Sequence, residues 1–348
     1  MKWLGLSFMG LCLTSAAEDQ VARPNNVESN LTGDPLVVYL NTIQGLFHLK
    51  DSQSPDTEKK LMSAKYKHTV DICGREDRSL ALSIPPSFDV RSLWHVCSLN
   101  LIRDQAKCGS CWAVSAAETM SDRICVQSNC SIKACISDTD ILSCCGLYCG
   151  YGCNGGFPIE AWRHFTVAGN CTGGKTIDKY GCKPYKPTGP IGRHLKRNDY
   201  APCPNDTYYG ECVGMADTPR CKRRCLLGYP KSYPSDRYYG KSAYIVKQSV
   251  KAIQREIMKN GPVVASFAVY EDFRHYKSGI YKHTAGELRG YHAVKIIGWG
   301  KENNTDFWLI ANSWHQDWGE KGYFRIVRGK NECGIETDVV AGIVTIRG

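Results

Sequence analysis

The sequence predicts an α+β fold in two lobes, one helical and rich in cysteine, the other built mainly of strands. Residues 112–120 are good helix formers without glycine or proline, so they predict a helix whose first turn contains Cys111. Four later segments have the β-branched and aromatic residues and the flanking turns that are typical of strands: residues 263–269, 292–297, 307–311 and 324–327. Cys111 and His292 would then lie on different lobes, with a cleft between them.

The N-terminus has the pattern of a secretory signal peptide. Lys2 is followed by an apolar run at residues 3–13 and by small residues up to Ala17, where we expect cleavage. The run is too short to span a bilayer as a helix, and no later stretch reaches about 18 uninterrupted apolar residues. We therefore expect a protein of the secretory pathway without a membrane anchor.

Cysteine usage agrees with an oxidising compartment. The chain has 19 cysteines, and disulfides persist outside the cytosol. Removing Cys12 with the signal and Cys73 with a pro-segment leaves 17, an odd number. At least one thiol in the mature protein must therefore stay unpaired or pair between molecules.

Changes in composition divide the rest of the chain. Residues 18–83 are poor in cysteine and contain one helical-looking stretch at residues 36–41, whereas residues from 85 onward are dense in cysteine, glycine and aromatic side chains. The sequence therefore predicts a signal peptide at 1–17, an inhibitory propeptide at 18–83 and a mature domain at 84–348. Its helical lobe would span roughly 97–232, and its strand-rich lobe 233–348 plus the mature N-terminus.

Two further segments complete this outline. Residues 171–240 are crowded with glycine, proline, tyrosine and cysteine without periodicity, which predicts a long loop region held by disulfides. Residues 250–259 predict a helix that ends at Asn260-Gly261-Pro262.

The charge of +10 does not indicate a nucleic-acid partner. Basic residues are scattered, with local clusters only at residues 193–197 and 222–224 and no interleaved aromatic residues there. Glycosylation sequons fit a secreted glycoprotein and occur at Asn30, Asn129, Asn170, Asn205 and Asn303.

Residues 108–112 read Cys-Gly-Ser-Cys-Trp and offer a candidate nucleophile. A thiol attacks as its thiolate, which the N-terminus of a helix and a nearby imidazolium stabilise. Cys108 and Cys111 also form a Cys-x-x-Cys pair, so a redox pair or half of a zinc site are alternatives. Neither the short βαβ unit of a redox site nor a second ligand pair for zinc is evident.

Residues far along the chain can complete an acyl-transfer site. His292 begins a predicted strand and can serve as the base. Asn312, in Asn-Ser-Trp, can accept the other imidazole N–H while tryptophan screens that bond from water. The side-chain amide of Gln105 and the backbone N–H of Cys111 are candidate donors to the oxyanion.

In this order, these segments resemble the papain family of cysteine proteases, and further stretches resemble its cathepsin B group: residues 121–125, 144–145, 152–156 and 333–336. The resemblance implies a cysteine endopeptidase made as a zymogen, without cofactor or metal. It implies a papain-like fold whose helical, disulfide-rich lobe faces a β-barrel-like lobe across the active-site cleft. Expected partners are protein and peptide substrates, the chain's own propeptide and cystatin-type inhibitors, and the expected state is a monomer.

The same resemblance implies further roles. Gly155 and Gly156 would bind the substrate backbone, and Trp314 and Trp318 would line the primed side, which binds residues after the cut. The main side-chain pocket would be bordered by Pro158, Ser266, Ala293 and Asp338. Cys73-Gly74 would cross the closed cleft. The implied disulfides are Cys97–Cys125, Cys108–Cys153, Cys144–Cys221, Cys145–Cys149, Cys182–Cys225 and Cys203–Cys212, with Cys130–Cys135 as an extra local pair.

The chain also departs from the cathepsin B pattern. That group carries paired histidines in an occluding loop, here residues 182–212, and these bind a substrate's C-terminal carboxylate. This chain has only His194 there, so we expect weak dipeptide release. Asp338 replaces the usual glutamate of the pocket, and Tyr291 replaces a glycine. Residues 307–320 resemble a segment of enzymes from blood-feeding worms, which suggests haemoglobin digestion in a gut lumen, with a lysosome or the extracellular space as other destinations. A catalytically silent papain-like binding protein is the alternative function.

Overall fold

The computed structural model describes residues 31–50, 55–66, 75, 83–97, 99–173, 181–185 and 216–346. Across these ranges the structure contains no helix that is both long and apolar enough to cross a membrane.

Helices form where the sequence predicts them. The longest begins at Cys111 and is α3, and the helix predicted at residues 250–259 is α6. In chain order the helices are α1 (Gly33–Ile43), α2 (Val90–Leu93), α3 (Cys111–Gln127), α4 (Asp138–Cys144), α5 (Pro158–Val167), α6 (Val250–Asn260) and α7 (Glu271–Arg274). Short 3₁₀ turns lie at Pro55–Lys60, Ala64–Tyr66, Gly152–Asn154, Pro234–Asp236 and Glu332–Gly334.

Nine strands of the described residues form one sheet, and the four predicted segments are its β4, β6, β7 and β8. The strands are β1 (Phe47–Leu49), β2 (Phe88–Asp89), β3 (Gly240–Ile245), β4 (Val263–Tyr270), β5 (Tyr276–Tyr281), β6 (Leu288–Glu302), β7 (Thr305–Ala311), β8 (Tyr323–Val327) and β9 (Asp338–Val344). Their order is β1-β5-β8-β7-β6-β4-β9-β3, with β2 paired to β6. Because this sheet does not close on itself, the expected β-barrel-like description applies only loosely.

The sheet takes its first edge strand from the N-terminal segment, defined here as residues 31–50 and 55–66. Strand β1 pairs antiparallel with β5, with Phe47 opposite Gly279. Helix α1 buries Leu36 and Leu40 in the apolar core of the sheet, which also contains Trp308 of β7. The segment is therefore packed into the strand-rich lobe before it reaches the cleft.

Two apolar cores lie on either side of the cleft. One contains strand residues such as Phe267 and Trp299 and the buried face of α6, including Ile253. The other surrounds α3 and includes Trp112 and Trp162. This division agrees with an α+β fold in which the helix carrying Cys111 and the sheet carrying His292 pack face to face.

Disulfides join the described part of the helical lobe. The bridges are Cys97–Cys125, Cys108–Cys153, Cys144–Cys221, Cys145–Cys149 and Cys182–Cys225. Cys203 and Cys212 lie outside the described residues. The expected Cys130–Cys135 pair is wrong, since both are free thiols. The sulfur of Cys130 lies 3.5 Å from that of Cys97, whereas Cys135 faces Arg103.

One predicted glycosylation site is inaccessible in the fold. Asn170 is fully buried, and its side-chain amide donates a hydrogen bond to Asp140 at 3.2 Å. Asn129 and Asn303 are exposed. Sequons at Asn30 and Asn205 lie outside the described residues.

Candidate active site

Cys111 is the first residue of α3 and is fully buried. The preceding Ser110 shares a hydrogen bond of 2.8 Å with the Tyr185 hydroxyl, which donates to the backbone carbonyl of Gln105 at 2.8 Å. Tyr185 therefore braces both sides of the turn that presents the thiol. Because Cys108 is bridged to Cys153, it cannot form a redox pair with the free Cys111.

His292 lies on β6 with one ring nitrogen already occupied. Its Nε2 is 2.7 Å from Oδ1 of Asn312, and the same oxygen accepts the backbone N–H of Ser313 at 2.8 Å. An atom that accepts from a backbone N–H is the amide oxygen, so Nε2 carries the proton and donates it. Nδ1 is then the basic nitrogen, and among the described residues it has no hydrogen-bond partner. It is the atom left to exchange a proton with the thiol.

Tryptophans shield this imidazole from water. The ring of Trp314 stacks on that of His292 at 4.6 Å between centroids with 29° between planes. Trp318 meets Trp314 edge-on at 5.1 Å. The His292–Asn312 hydrogen bond is therefore made in a dry environment, where such a bond is stronger than in water.

Gln105 directs its amide into the cleft. Its Oε1 accepts a hydrogen bond from the Ser313 hydroxyl at 2.7 Å, which fixes the orientation of the amide. Its Nε2 donates to the backbone carbonyl of Lys60 at 2.7 Å and to that of Cys108 at 2.8 Å. A carbonyl oxygen of the N-terminal segment thus occupies the place that the sequence assigns to a substrate oxygen.

Burial keeps the Cys111 thiol and the His292 imidazole uncharged in this closed form. It raises the pKa of the Cys111 thiol to about 12, although nearby backbone N–H groups, that of Ala293 foremost, partly offset the effect. Burial also lowers the pKa of His292 to about 4; the bond to Asn312 opposes this shift, and the charge of Lys60 adds to it. Near neutral pH the pair is therefore thiol and neutral imidazole, not the reactive thiolate and imidazolium.

Three residues predicted for the side-chain pocket lie side by side on the sheet. Ala293 of β6 is opposite Ser266 of β4, and Ser266 is opposite Asp338 of β9. Directly opposed residues of antiparallel strands share one face. The backbone N–H of Ala293 also lowers the pKa of the Cys111 thiol, so it lies close to the sulfur and places this part of the sheet next to it.

The N-terminal segment covers the remaining part of the cleft. Met62 and Tyr291 exchange two backbone hydrogen bonds, of 2.7 and 3.0 Å.

Two glycines form a wall of the cleft. The ring of Tyr66 lies against Gly155, whose φ of +117° favours glycine. A Cβ added to Gly155 would lie 2.5 Å from that ring. At Gly156 a Cβ would lie 2.6 Å from the Trp112 ring. Side chains larger than hydrogen are therefore excluded from this wall.

Other predicted site residues are placed less directly. Pro158 is buried at the first position of α5, where proline suits a helix start. His194 and Cys73-Gly74 lie outside the described residues. The residues of the N-terminal segment that cover the cleft in the structure include Lys60, Met62 and Tyr66.

Two groups of potential metal ligands lie among the described residues: Cys97, Cys125 and Cys130, and Cys171, Cys182 and Asp236. In both groups disulfides remove cysteines as thiolate ligands.

Sequence reasoning missed three residues that matter here. Ser313 stands in the Asn-Ser-Trp segment, where a hydroxyl beside Asn312 was a usable signal. Tyr185 falls in a loop without periodicity, so nothing in the sequence connected it to Ser110. Lys60 lies in the N-terminal segment, where no sequence pattern distinguished it from its neighbours.

Comparisons with known proteins agree with this geometry. Residues 84–343 match the family model described as papain family cysteine protease. The chain is 59% identical, over 99% of its length and 98% of the relative, to cathepsin B-like cysteine proteinase 2 of Haemonchus contortus. It is 46% identical, over 98% of its length and 99% of the relative, to a gut-specific cysteine proteinase of Caenorhabditis elegans.

A solved structure also matches. Procathepsin B S9 of Trypanosoma congolense superposes with a TM-score of 0.72 at 33% identity, over 90% of this chain and 98% of that one. That protein carries its propeptide, as its name states, which agrees with a zymogen form for this chain. The chain belongs to the papain family of cysteine proteases and, within it, to the cathepsin B-like enzymes.

Proposed function

We propose that the mature enzyme, formed by cleavage near residue 84, hydrolyses peptide bonds chiefly as an endopeptidase. Cys111 is the nucleophile, His292 the general base and acid, Asn312 the residue that orients it, and Gln105 with the Cys111 N–H the oxyanion donors. This proposal rests above all on the hydrogen bond from Gln105 to a backbone carbonyl oxygen of the N-terminal segment.

The reaction then takes two steps. Nδ1 of His292 removes the thiol proton, the sulfur of Cys111 bonds to the peptide carbonyl carbon, and the oxyanion accepts hydrogen bonds from the Gln105 amide. The carbon–nitrogen bond breaks as the imidazolium returns its proton to the leaving amine. Water, deprotonated by the same imidazole, attacks the thioester, and the carboxylic acid leaves with the thiol restored.

The contacts of the N-terminal segment account for a zymogen. Lys60 is at the oxyanion donors and Tyr66 at Gly155, which is proposed to bind residues before the cut. A substrate would run from Gly155 toward the primed side, whereas the segment runs from the primed side toward Gly155. In this reversed direction its carbonyl binds without correct alignment for cleavage.

Labelling with a thiol-directed epoxide tests the function. Incubation of the precursor at acidic pH should produce a new N-terminus near residue 84, and the product should take up one epoxide per molecule at Cys111. His292→Ala should lose this labelling, because the thiol then lacks its base. His164→Ala is a matched control, since this buried histidine bonds Tyr148 instead. Processed protein that takes up no epoxide would instead be a binding protein.

Endopeptidase action is proposed because the loop at residues 182–212 has only His194 in place of paired histidines. Blocked, internally quenched peptides should be cleaved much faster than dipeptides are released from free C-termini. Faster dipeptide release would contradict this part of the proposal. Inserting a second histidine beside His194 should raise dipeptide release if the carboxylate contact is what is missing.

Asp338 sets the proposed pocket preference. It lies at the start of β9 beside Ser266 and is buried, and its carboxylate is one methylene shorter than the usual glutamate. We expect apolar or aromatic side chains to be preferred over arginine at the second residue before the cut. Asp338→Glu should narrow the gap between Phe-Arg and Arg-Arg substrates, and equal efficiency of the two on the unaltered enzyme would refute the preference.

Digestion of dietary or host protein in a gut lumen or lysosome is the proposed role. The gut-specific relative supports this setting. The processed enzyme should then cut native haemoglobin at internal peptide bonds at acidic pH, and not only remove residues from its ends. Gel electrophoresis with peptide sequencing would show this. Immunolocalisation outside gut and lysosome would contradict the setting without affecting the chemistry.

A further inference from the structure

The N-terminal segment contacts the mature domain through charged side chains as well as through its backbone. The ammonium of Lys60 lies 3.6 Å from Oδ1 of Asp104. Two residues earlier, Oε1 of Glu58 lies 3.6 Å from Nη1 of Arg274 and equally far from Nη1 of Arg289. One carboxylate of the segment therefore contacts two arginines of the strand-rich lobe.

The two arginines are held by a carboxylate of the mature domain. Nη1 of Arg274 lies 3.0 Å from Oε2 of Glu271, and Nε of Arg289 donates a hydrogen bond to the same oxygen. Glu271 is buried, whereas the side chains of Arg274 and Arg289 are 15% and 26% exposed with the segment in place. Both guanidiniums are thus anchored from below and covered from the cleft side by Glu58.

Glu271 keeps its charge in acid. Burial raises the pKa of this carboxyl, but His275 and Arg274 outweigh burial and lower the pKa to about 2. Because Glu271 belongs to the mature domain, its contacts with the arginines do not depend on the segment. Groups that are fixed before a ligand arrives lose less conformational entropy on binding. The guanidiniums are therefore positioned for a carboxylate that approaches from the cleft.

Both arginines lie on the primed side. Arg274 is the last residue of α7, and the ring of the preceding Phe273 packs at 5.8 Å from that of Trp314 and 5.3 Å from that of Trp318. These are the tryptophans expected to line the primed side. Arg289 is in the first turn of the chain along β6, where the strand approaches the cleft.

The course of the segment indicates which substrate residues would reach the arginines. The carbonyl of Lys60 is bound by Gln105, and Glu58 lies beyond it on the primed side. Residues 55–60 form a 3₁₀ turn, which advances about 2 Å per residue, so Glu58 is about 4 Å along from Lys60. An extended substrate advances about 3.3 Å per residue. The first or second residue after the cut therefore starts near Glu58.

We propose that Arg274 and Arg289 form a subsite that binds the carboxylate of an aspartate or glutamate at the first or second position after the cut. The inference rests on the proposed endopeptidase function, because it assigns a substrate class to one end of the same cleft. Glu58 shows the binding mode, with one carboxylate contacting both guanidiniums. The arginines act by charge and hydrogen bonding. Neither takes part in proton transfer.

Internally quenched peptides with amidated C-termini test the subsite at pH 6, where a glutamate side chain is ionised. They share one sequence and carry glutamate, glutamine or lysine at the first or the second position after the cut, and mass spectrometry confirms the cleaved bond. At one of these positions the processed enzyme should cleave the glutamate peptide with about three- to fivefold higher kcat/KM than the glutamine peptide, as expected for a partly exposed ion pair. The lysine peptide should be cleaved more slowly than either. Since the C-termini are amidated, the preference must come from the side-chain carboxylate.

Variants of the arginines assign the preference to the subsite. Arg274→Gln and Arg289→Gln should each reduce it, and the double variant should cleave the glutamate and glutamine peptides equally. Arg325→Gln is the matched control, because Arg325 also pairs with two carboxylates, Glu302 and Glu320, but lies on β8. It should keep the preference for glutamate. A preference that persists in the double variant would overturn the assignment to these arginines.

A result on the unaltered enzyme decides the question even if the arginine variants fail to fold. Equal cleavage of the glutamate and glutamine peptides at both positions would overturn the subsite. Failure to cleave any peptide would instead contradict the proposed function, so the two results are distinguishable.

Discussion

The ammonium of Lys295 lies 2.7 Å from the carboxylate of Asp122, and both side chains are buried. Lys295 is on β6, three residues after His292, and Asp122 is on α3, the helix that begins at Cys111. The ion pair therefore joins the helix that carries the proposed nucleophile to the strand that carries the proposed base. It holds the two faces of the cleft together behind the reacting atoms.

Lys295→Met should cost the closed precursor about 3–5 kcal/mol of unfolding free energy, because Asp122 would remain as an uncompensated buried charge. Denaturant unfolding of the Cys111→Ser precursor, which cannot process itself, measures this. The double variant Asp122→Leu with Lys295→Met should recover much of the loss. A matched surface pair is Arg163 with Glu160, so Arg163→Met should cost less than about 1 kcal/mol. Equal effects of Lys295→Met and Arg163→Met would contradict the assigned role.

Ser313→Ala should lower kcat by about tenfold with little change in KM. The Ser313 hydroxyl fixes the Gln105 amide at 2.7 Å, and a freely rotating amide stabilises the oxyanion less well. Gln105→Ala, which removes the donor entirely, should cost about 10²–10³-fold in kcat. Steady-state kinetics on one blocked peptide, corrected by epoxide titration, measures both. An unchanged kcat in Ser313→Ala would show that Gln105 is oriented by other contacts.

The sequence was sufficient to predict helices and strands that depend on a local residue pattern. Helix α3 follows from good helix formers after Cys111, and β6 and β7 follow from β-branched runs. Contacts between distant loops were not visible in the same way. Tyr185 reaches Ser110 across 75 positions, and no periodicity marks such a pair. The open sheet also could not be foreseen, because closure depends on strand tilt and stagger, and its edge strand β1 lies in the N-terminal segment.

His292 should stay neutral down to low pH in the Cys111→Ser precursor. Burial lowers its pKa from 6.5 to about 4, so NMR of ¹³C-labelled histidine should show no titration of this ring near pH 6.5. After an added protease removes the N-terminal segment and exposes the cleft, the same ring should titrate at higher pH. His292→Gln identifies the signal by its loss. Titration near pH 6.5 in the precursor would contradict a desolvated imidazole.

The lowered pKa of His292 has a defined consequence for acid activation. Between about pH 4 and 6.5, His292 binds fewer protons in the closed form than in the open form. Protonation of His292 therefore favours the open form. The stability that neutral His292 gives to the closed form is fully present above pH 6.5 and is lost as the pH falls toward 4. The raised pKa of Asp104 acts in the opposite direction. Acid-driven release of the segment, measured by limited proteolysis of the Cys111→Ser precursor, should therefore be weaker in His292→Gln and stronger in Asp104→Asn.

Tyr66→Ala should weaken binding of the N-terminal segment to the cleft more than a substitution at an exposed position of the same segment. Tyr66 is 2% exposed, and its ring meets Phe157 edge-on at 5.1 Å between centroids. Truncating a buried aromatic side chain costs about 3–5 kcal/mol, and here the cost falls on the closed form because the open form does not bury the ring. The precursor should therefore process itself faster and admit epoxide to Cys111 before processing. Ser63→Ala, at an exposed position of the same segment, should leave both rates nearly unchanged. If Tyr66→Ala processes no faster than Ser63→Ala, closure must depend on Lys60 and Met62 rather than on the aromatic contact.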